Sequence, residues 1–102
     1  MTKHLTLLSV LFLISTGFGQ KLHEVIETYE NGNIKSITYH EKIRDTISKV
    51  KEEVYYENWQ KYLELPYKNG KMDGLATEWY ENGQNKSEED YRDGELISKK
   101  RW

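Results

Sequence analysis

The stretch Tyr67 to Gly94 reads YKNGKMDGLATEWYENGQNKSEEDYRDG, and in it a tyrosine precedes a glycine by three residues at Tyr67–Gly70, Tyr80–Gly83 and Tyr91–Gly94. Asn-Gly and Asp-Gly between extended runs are the preferred central pair of a two-residue type I′ hairpin, because both positions need positive φ. Asn69-Gly70, Asn82-Gly83 and Asp93-Gly94 therefore read as chain reversals. In that geometry the tyrosine occupies the close, non-hydrogen-bonded pair one step out from the turn, opposite Met72 for Tyr67, Asn85 for Tyr80 and Leu96 for Tyr91. Continuing outward from Asn69-Gly70 places Leu63, Leu65, Tyr67, Met72 and Ala76 on one strand face, the best candidate for a core.

The same signature extends towards the N-terminus, as YENW at Tyr56–Trp59 and YENG at Tyr29–Gly32. Laying Tyr56 to Lys71 over Tyr80 to Glu95 keeps every turn in step at a period of 24. Tyr29 precedes Tyr56 by 27, so the first unit carries about three extra residues and an altered second turn near Arg44-Asp45-Thr46, with Ile43 where a glycine belongs. Asn31-Gly32 is its first reversal, setting Ile34 opposite Tyr29. Units of about 24–55, 56–79 and 80–102 follow, each stacking on its neighbour as repeats of this length do. The fold expected is all-β, an antiparallel meander of repeated hairpins forming an extended single-layer sheet. One segment has a second reading: Ile43, Ile47, Val50 and Val54 recur at a helical period. The repeat alignment and the β-branched content favour strand there.

Tyr67, Asn69, Gly70, Lys71, Gly74, Tyr80, Asn82, Gly83, Lys86, Tyr91 and Gly94 together resemble the bacterial variant of the MORN repeat, found in YwqK-type antitoxin proteins. The resemblance is close from Tyr56 to about Glu95 and looser from Glu24 to Tyr39. It implies a ladder of antiparallel hairpins with binding as its task; the antitoxin role is implied only by name. Trp59 departs from the pattern by replacing a turn glycine, and the last unit, ELISKKRW, lacks the second glycine.

Met1 to Gly19 has Lys3 and His4 before the apolar run Leu5 to Ile14, then small residues at Gly17 and Gly19. That is the pattern of a secretory signal peptide. A run of about 10 to 14 residues spans roughly 15 to 21 Å as a helix, short of the roughly 30 Å bilayer core. Cleavage after Gly19, with no cysteine there for a lipid anchor, predicts a secreted or periplasmic protein. The remainder, 20–102, holds 14 basic and 17 acidic side chains and only 14 Leu, Ile, Val and Phe, but eleven Tyr and Trp that supply apolar area. The whole chain has 15 Lys and Arg against 17 Asp and Glu. This balance argues against nucleic acid as partner and, after leader removal, against an anionic membrane. With no cysteine in the sequence, disulfides and thiolate chemistry are excluded.

The motif residues Asn31, Gly32, Asn69, Gly70, Asn82, Gly83, Asp93 and Gly94 are all accounted for by turns. His23 and His40 would face each other across the Asn31-Gly32 reversal, two ligands where zinc needs three or four. Glu88, Glu89 and Asp90 lack the spacing of a calcium loop, and no serine sits in a nucleophile elbow. These readings point to a protein without catalytic residues, cofactor or metal. Its partner is expected to be another protein, reached through a sheet face or an open edge; edge-to-edge self-association is the related alternative, and a small-ligand or glycan site, or neutralisation of a toxin, are the others. Trp59, Trp79 and Trp102 are the candidate binding residues. At Trp59 a bulky side chain is disfavoured at positive φ, so the turn is expected to change type or lengthen, with the ring packed on Tyr56 or Tyr62. The competing reading is an exposed aromatic anchor. The terminal lysines are expected to guard an edge strand.

Overall fold

The computed structural model describes residues 6–15 and 21–102. Among these residues nine strands form one open antiparallel sheet: β1 (Thr6–Ser15), β2 (Lys21–Thr28), β3 (Ile34–Ile43), β4 (Thr46–Tyr55), β5 (Lys61–Lys68), β6 (Lys71–Met72), β7 (Gly74–Trp79), β8 (Asn85–Arg92) and β9 (Glu95–Arg101). Spatial order follows chain order, except that the two-residue β6 pairs with β5 beside the path. The molecule is thus all-β, a single-layer meander. The segment from Ile43 to Val54, with its helical period, is strand on both sides of a reversal at Arg44-Asp45. Thr6–Ser15, within the stretch assigned above to a leader, lies antiparallel to β2. The expected cleavage point after Gly19 falls outside the described residues.

Asn69-Gly70 and Asp93-Gly94 have positive φ at both positions (52° and 79°, 51° and 82°), as type I′ turns require. Their flanking pairs are as expected, Tyr67 with Met72 and Tyr91 with Leu96. Asn31-Gly32 and Asn82-Gly83 are different, and correct the reading of those two motifs. Only the glycine has positive φ, at 90° and 88°. The amide of Gly32 donates to the Tyr29 carbonyl and that of Tyr29 to the Asn33 carbonyl, and Tyr80, Gly83 and Gln84 repeat the arrangement. These are three-residue loops with glycine in the left-handed position. Here Asn31 and Asn82 do not enter that region. Their side chains brace the loop instead, with Oδ1 accepting from the amides of Asn33 and Gln84 at 2.9 and 3.0 Å.

The longer loop shifts the first pairs by one residue, so Ile34 lies opposite Thr28 rather than Tyr29, and Asn85 opposite Trp79 rather than Tyr80. A bulge then restores the register. Lys35 is passed over between Ile34 and Ser36, Tyr62 between Lys61 and Leu63, and Lys86 between Asn85 and Ser87. The same defect at the same place in all three units is a feature of the repeat. Beyond it the pairing is that of a two-residue hairpin, and His23 faces His40 as expected.

The core is thin. Ala76 is 6% exposed and lies in the register position opposite Leu65. With Leu63 it lines one face of the sheet, as the outward count from Asn69-Gly70 anticipates. On the other face the central buried group is a carboxylate, Glu53, 7% exposed.

Candidate functional site

The turns Tyr29–Gly32, Tyr56–Trp59 and Tyr80–Gly83 lie along one edge of the sheet; those at Arg44-Asp45, Asn69-Gly70 and Asp93-Gly94, the last two also preceded by a tyrosine, lie along the other. The tyrosine hydroxyls tie neighbouring hairpins together at the first edge. Tyr29 Oη donates to the carbonyl of Tyr55 at 2.6 Å, and Tyr56 Oη to that of Trp79 at 2.8 Å. The amide side chains continue the seam, Asn33 Nδ2 donating to the Glu57 carbonyl (2.9 Å) and Asn58 Nδ2 to the Glu81 carbonyl (3.0 Å). The bulged residue of each unit then covers the ring of the turn tyrosine. Lys35 Nζ sits 6.0 Å above Tyr29 and Lys86 Nζ 5.7 Å above Tyr80, whereas in the middle unit Tyr62 takes the place, 4.8 Å from Tyr56.

Trp59 lies in this middle unit, and the expectation that its ring packs on Tyr56 or Tyr62 is overturned; the turn is longer than a two-residue reversal, as expected, but so are its two sisters. Its turn keeps the form of the other two: the Trp59 amide donates to the Tyr56 carbonyl, that of Tyr56 to the Gln60 carbonyl, and that of Gln60 to Asn58 Oδ1. Trp59 holds the glycine conformation itself, at φ 75°. Because Tyr62 already occupies Tyr56, the indole packs on neither and is 73% exposed. Between this turn and the preceding one is a cleft of about 390 Å³, lined by Gly32, Asn33, Ile34, Tyr55 and Trp59.

Trp79 ends β7 and Trp102 follows β9 at this edge, but the structure does not bring the three tryptophans together. Trp79 is half-buried, with Lys61 Nζ 5.8 Å above its ring, and Trp102 is 51% exposed, with Lys100 Nζ at 4.6 Å. No cation covers Trp59 among the described residues.

Sequence reading missed the polar cluster around Glu53. Lys61 lies opposite Tyr55, placing its Nζ 2.7 Å from Glu53 Oε2 and 2.9 Å from Glu64 Oε1. Tyr39 Oη donates to Glu53 Oε1 at 2.7 Å, and Tyr55 Oη reaches the same atom at 3.4 Å. Burial opposes ionisation of Glu53, but the hydrogen bonds from Lys61 and Tyr39 prevail and hold its carboxyl below the usual range. Tyr39 is raised, first by burial and then by its bond to Glu53; Lys61 is raised by its two carboxylates against the opposing effect of burial. A carboxylate whose oxygens are both taken up by donors of the chain itself is a fastener, with little capacity left for a substrate. The signal for it was present in Glu53 and Lys61, placed near enough to either side of one turn to meet on one face.

Glu89 is held low by Lys99 and by the Tyr91 hydroxyl, so within the Glu88, Glu89 and Asp90 run its carboxylate meets partners on β9 and β8. No group of three metal-capable side chains occurs among the described residues. No protein-family profile, curated protein or solved structure matches the chain.

Proposed function

We propose that this chain is an exported bacterial repeat module that binds another protein at the cell envelope and performs no catalysis, with the Trp59 cleft as its contact point. The observation that carries the reading is Trp59 itself. A left-handed conformation costs a non-glycine residue roughly 1–2 kcal/mol, and glycine occupies the equivalent place in both sister turns. The strain is borne without the compensation of burying the indole. Strain held in the backbone next to an exposed aromatic is the mark of a recognition site, and tryptophan is the side chain most enriched among binding hot spots. The resemblance to the MORN-repeat variant supports the same role, and the leader-like N-terminus supports the location.

The test is capture from an envelope fraction with wild-type chain and with Trp59→Gly, which places in the turn the residue its geometry prefers. Proteins retained by the wild type and lost with the variant are expected; an identical set on both would refute the reading. A glycan reading rests on the same indole, because sugar rings stack on tryptophan, and it predicts release of the wild type from a glycan column by free sugar.

A further inference from the structure

We infer that the Trp59 cleft receives a cationic side chain, arginine above all, from a basic segment of the partner. This rests on the protein-binding reading and names the chemistry of what binds. Among the described residues six aromatic rings carry a lysine over their faces, Trp79 and Trp102 included. Trp59 is the tryptophan without one. The repeat shows how this difference arose. In the first and third units the bulged residue is lysine, and it sits over the turn tyrosine; the same turns carry a glutamate, Glu30 or Glu81. The middle unit exchanges that lysine for Tyr62 and the turn glycine for Trp59, and keeps the glutamate, Glu57. Its edge has thus gained an open indole face and lost its cation.

The cleft walls suit such a ligand. Ile34, Tyr55 and Trp59 would line the methylene stem, and the indole face attracts the guanidinium. Glu57 belongs to the same turn as Trp59, and its backbone carbonyl accepts from Asn33 Nδ2 of the cleft wall at 2.9 Å. A basic side chain entering at the middle turn meets the indole of Trp59 and, from the same turn, Glu57, with no lysine over that indole among the described residues. Arginine, with a planar group that stacks and pairs with carboxylate at once, fits better than lysine.

The experiment follows the indole N–H resonance of Trp59 in the full chain during titration with acetyl-Gly-Arg-Gly-Arg-Gly-amide, and with counterparts carrying citrulline or leucine for arginine. Trp59→Gly assigns the resonance. The arginine peptide is expected to bind about tenfold more tightly than the citrulline one, to weaken severalfold as salt is raised, and to weaken similarly in Glu57→Gln. Equal binding of all three peptides, or no movement of the Trp59 signal with arginine, overturns the inference. If that happens while Trp59→Gly still loses the captured proteins, the protein-binding reading survives without a cationic ligand. If Trp59→Gly loses none of them, that reading fails on its own account.

Discussion

Four residues other than glycine hold a positive φ among the described residues, and their side chains divide them into two kinds. Asn69 and Asp93 (52° and 51°) are residue types that tolerate the left-handed region, and each precedes a glycine in a type I′ turn. Arg44 (55°) and Trp59 (75°) have no such tolerance. Asn69→Ala and Asp93→Ala should each cost about 1 kcal/mol in urea unfolding, whereas Arg44→Gly should leave stability unchanged or raise it by up to about 1 kcal/mol, since relief of strain competes with the added freedom of the unfolded chain. Glu53 supplies a second residue-level expectation. Its carboxyl is held below the ordinary range in the folded state, so the stability it contributes is present above the unfolded pKa and is lost as pH falls through the folded one. Glu53→Gln should therefore be less stable than wild type by about 1.5–3 kcal/mol at neutral pH, and the gap should close on acidification below about pH 4.

Hairpins are the elements, and hydroxyls of turn tyrosines add to the backbone ladders that join one to the next. Tyr56→Phe removes the 2.8 Å bond to the Trp79 carbonyl with little change of shape and should cost about 0.5–1.5 kcal/mol. Tyr29→Phe, which breaks the matching bond to Tyr55, should cost a similar amount, and the double variant should show near-additive loss because the two bonds share no partner. This seam was not legible in the sequence, where the tyrosines suggest cross-strand packing. Reversal positions were legible, since Asn-Gly and Asp-Gly can do little else between strands. Turn type was not, because both loop types want glycine at the same place and differ in what the asparagine does. In one it bends into the left-handed region; in the other its side chain caps the amide two residues on. The residue after the last turn position distinguishes them in retrospect, Asn33, Gln60 and Gln84 following the three-residue loops and Lys71 and Glu95 the type I′ turns.

As a whole the molecule is a broad, thin sheet with principal extents of 41 × 38 × 23 Å and a Cα radius of gyration of 15.3 Å. A compact domain of this length would have a radius of about 13 Å. Solution scattering from the full chain should therefore give a value close to 15.3 Å. A radius of about 13 Å would instead mean that the sheet folds back on itself. A single layer has little inside, which explains why a carboxylate held by lysine and tyrosine can sit at its centre and why the burial of Ala76 was the easiest part of the core to foresee. On the proposed binding reading, recognition would occur at a face or an edge, and the distribution of tryptophans points to the edge that holds Tyr29–Gly32, Tyr56–Trp59 and Tyr80–Gly83. The candidates at Trp59, Trp79 and Trp102 could be named from sequence because large aromatics stand out in a hairpin array. That only Trp59 is both strained and uncovered depended on Tyr62 displacing it, a contact that the unforeseen bulge creates.

The account turns on Trp59 being kept for contact with another molecule at some expense to the fold, and the stability of Trp59→Gly tests this without knowledge of the partner. Urea unfolding of the two chains under identical conditions should show the variant at least as stable as the wild type, by up to about 1 kcal/mol. A loss of more than about 1 kcal/mol would show that the indole supports the fold, and would contradict the account.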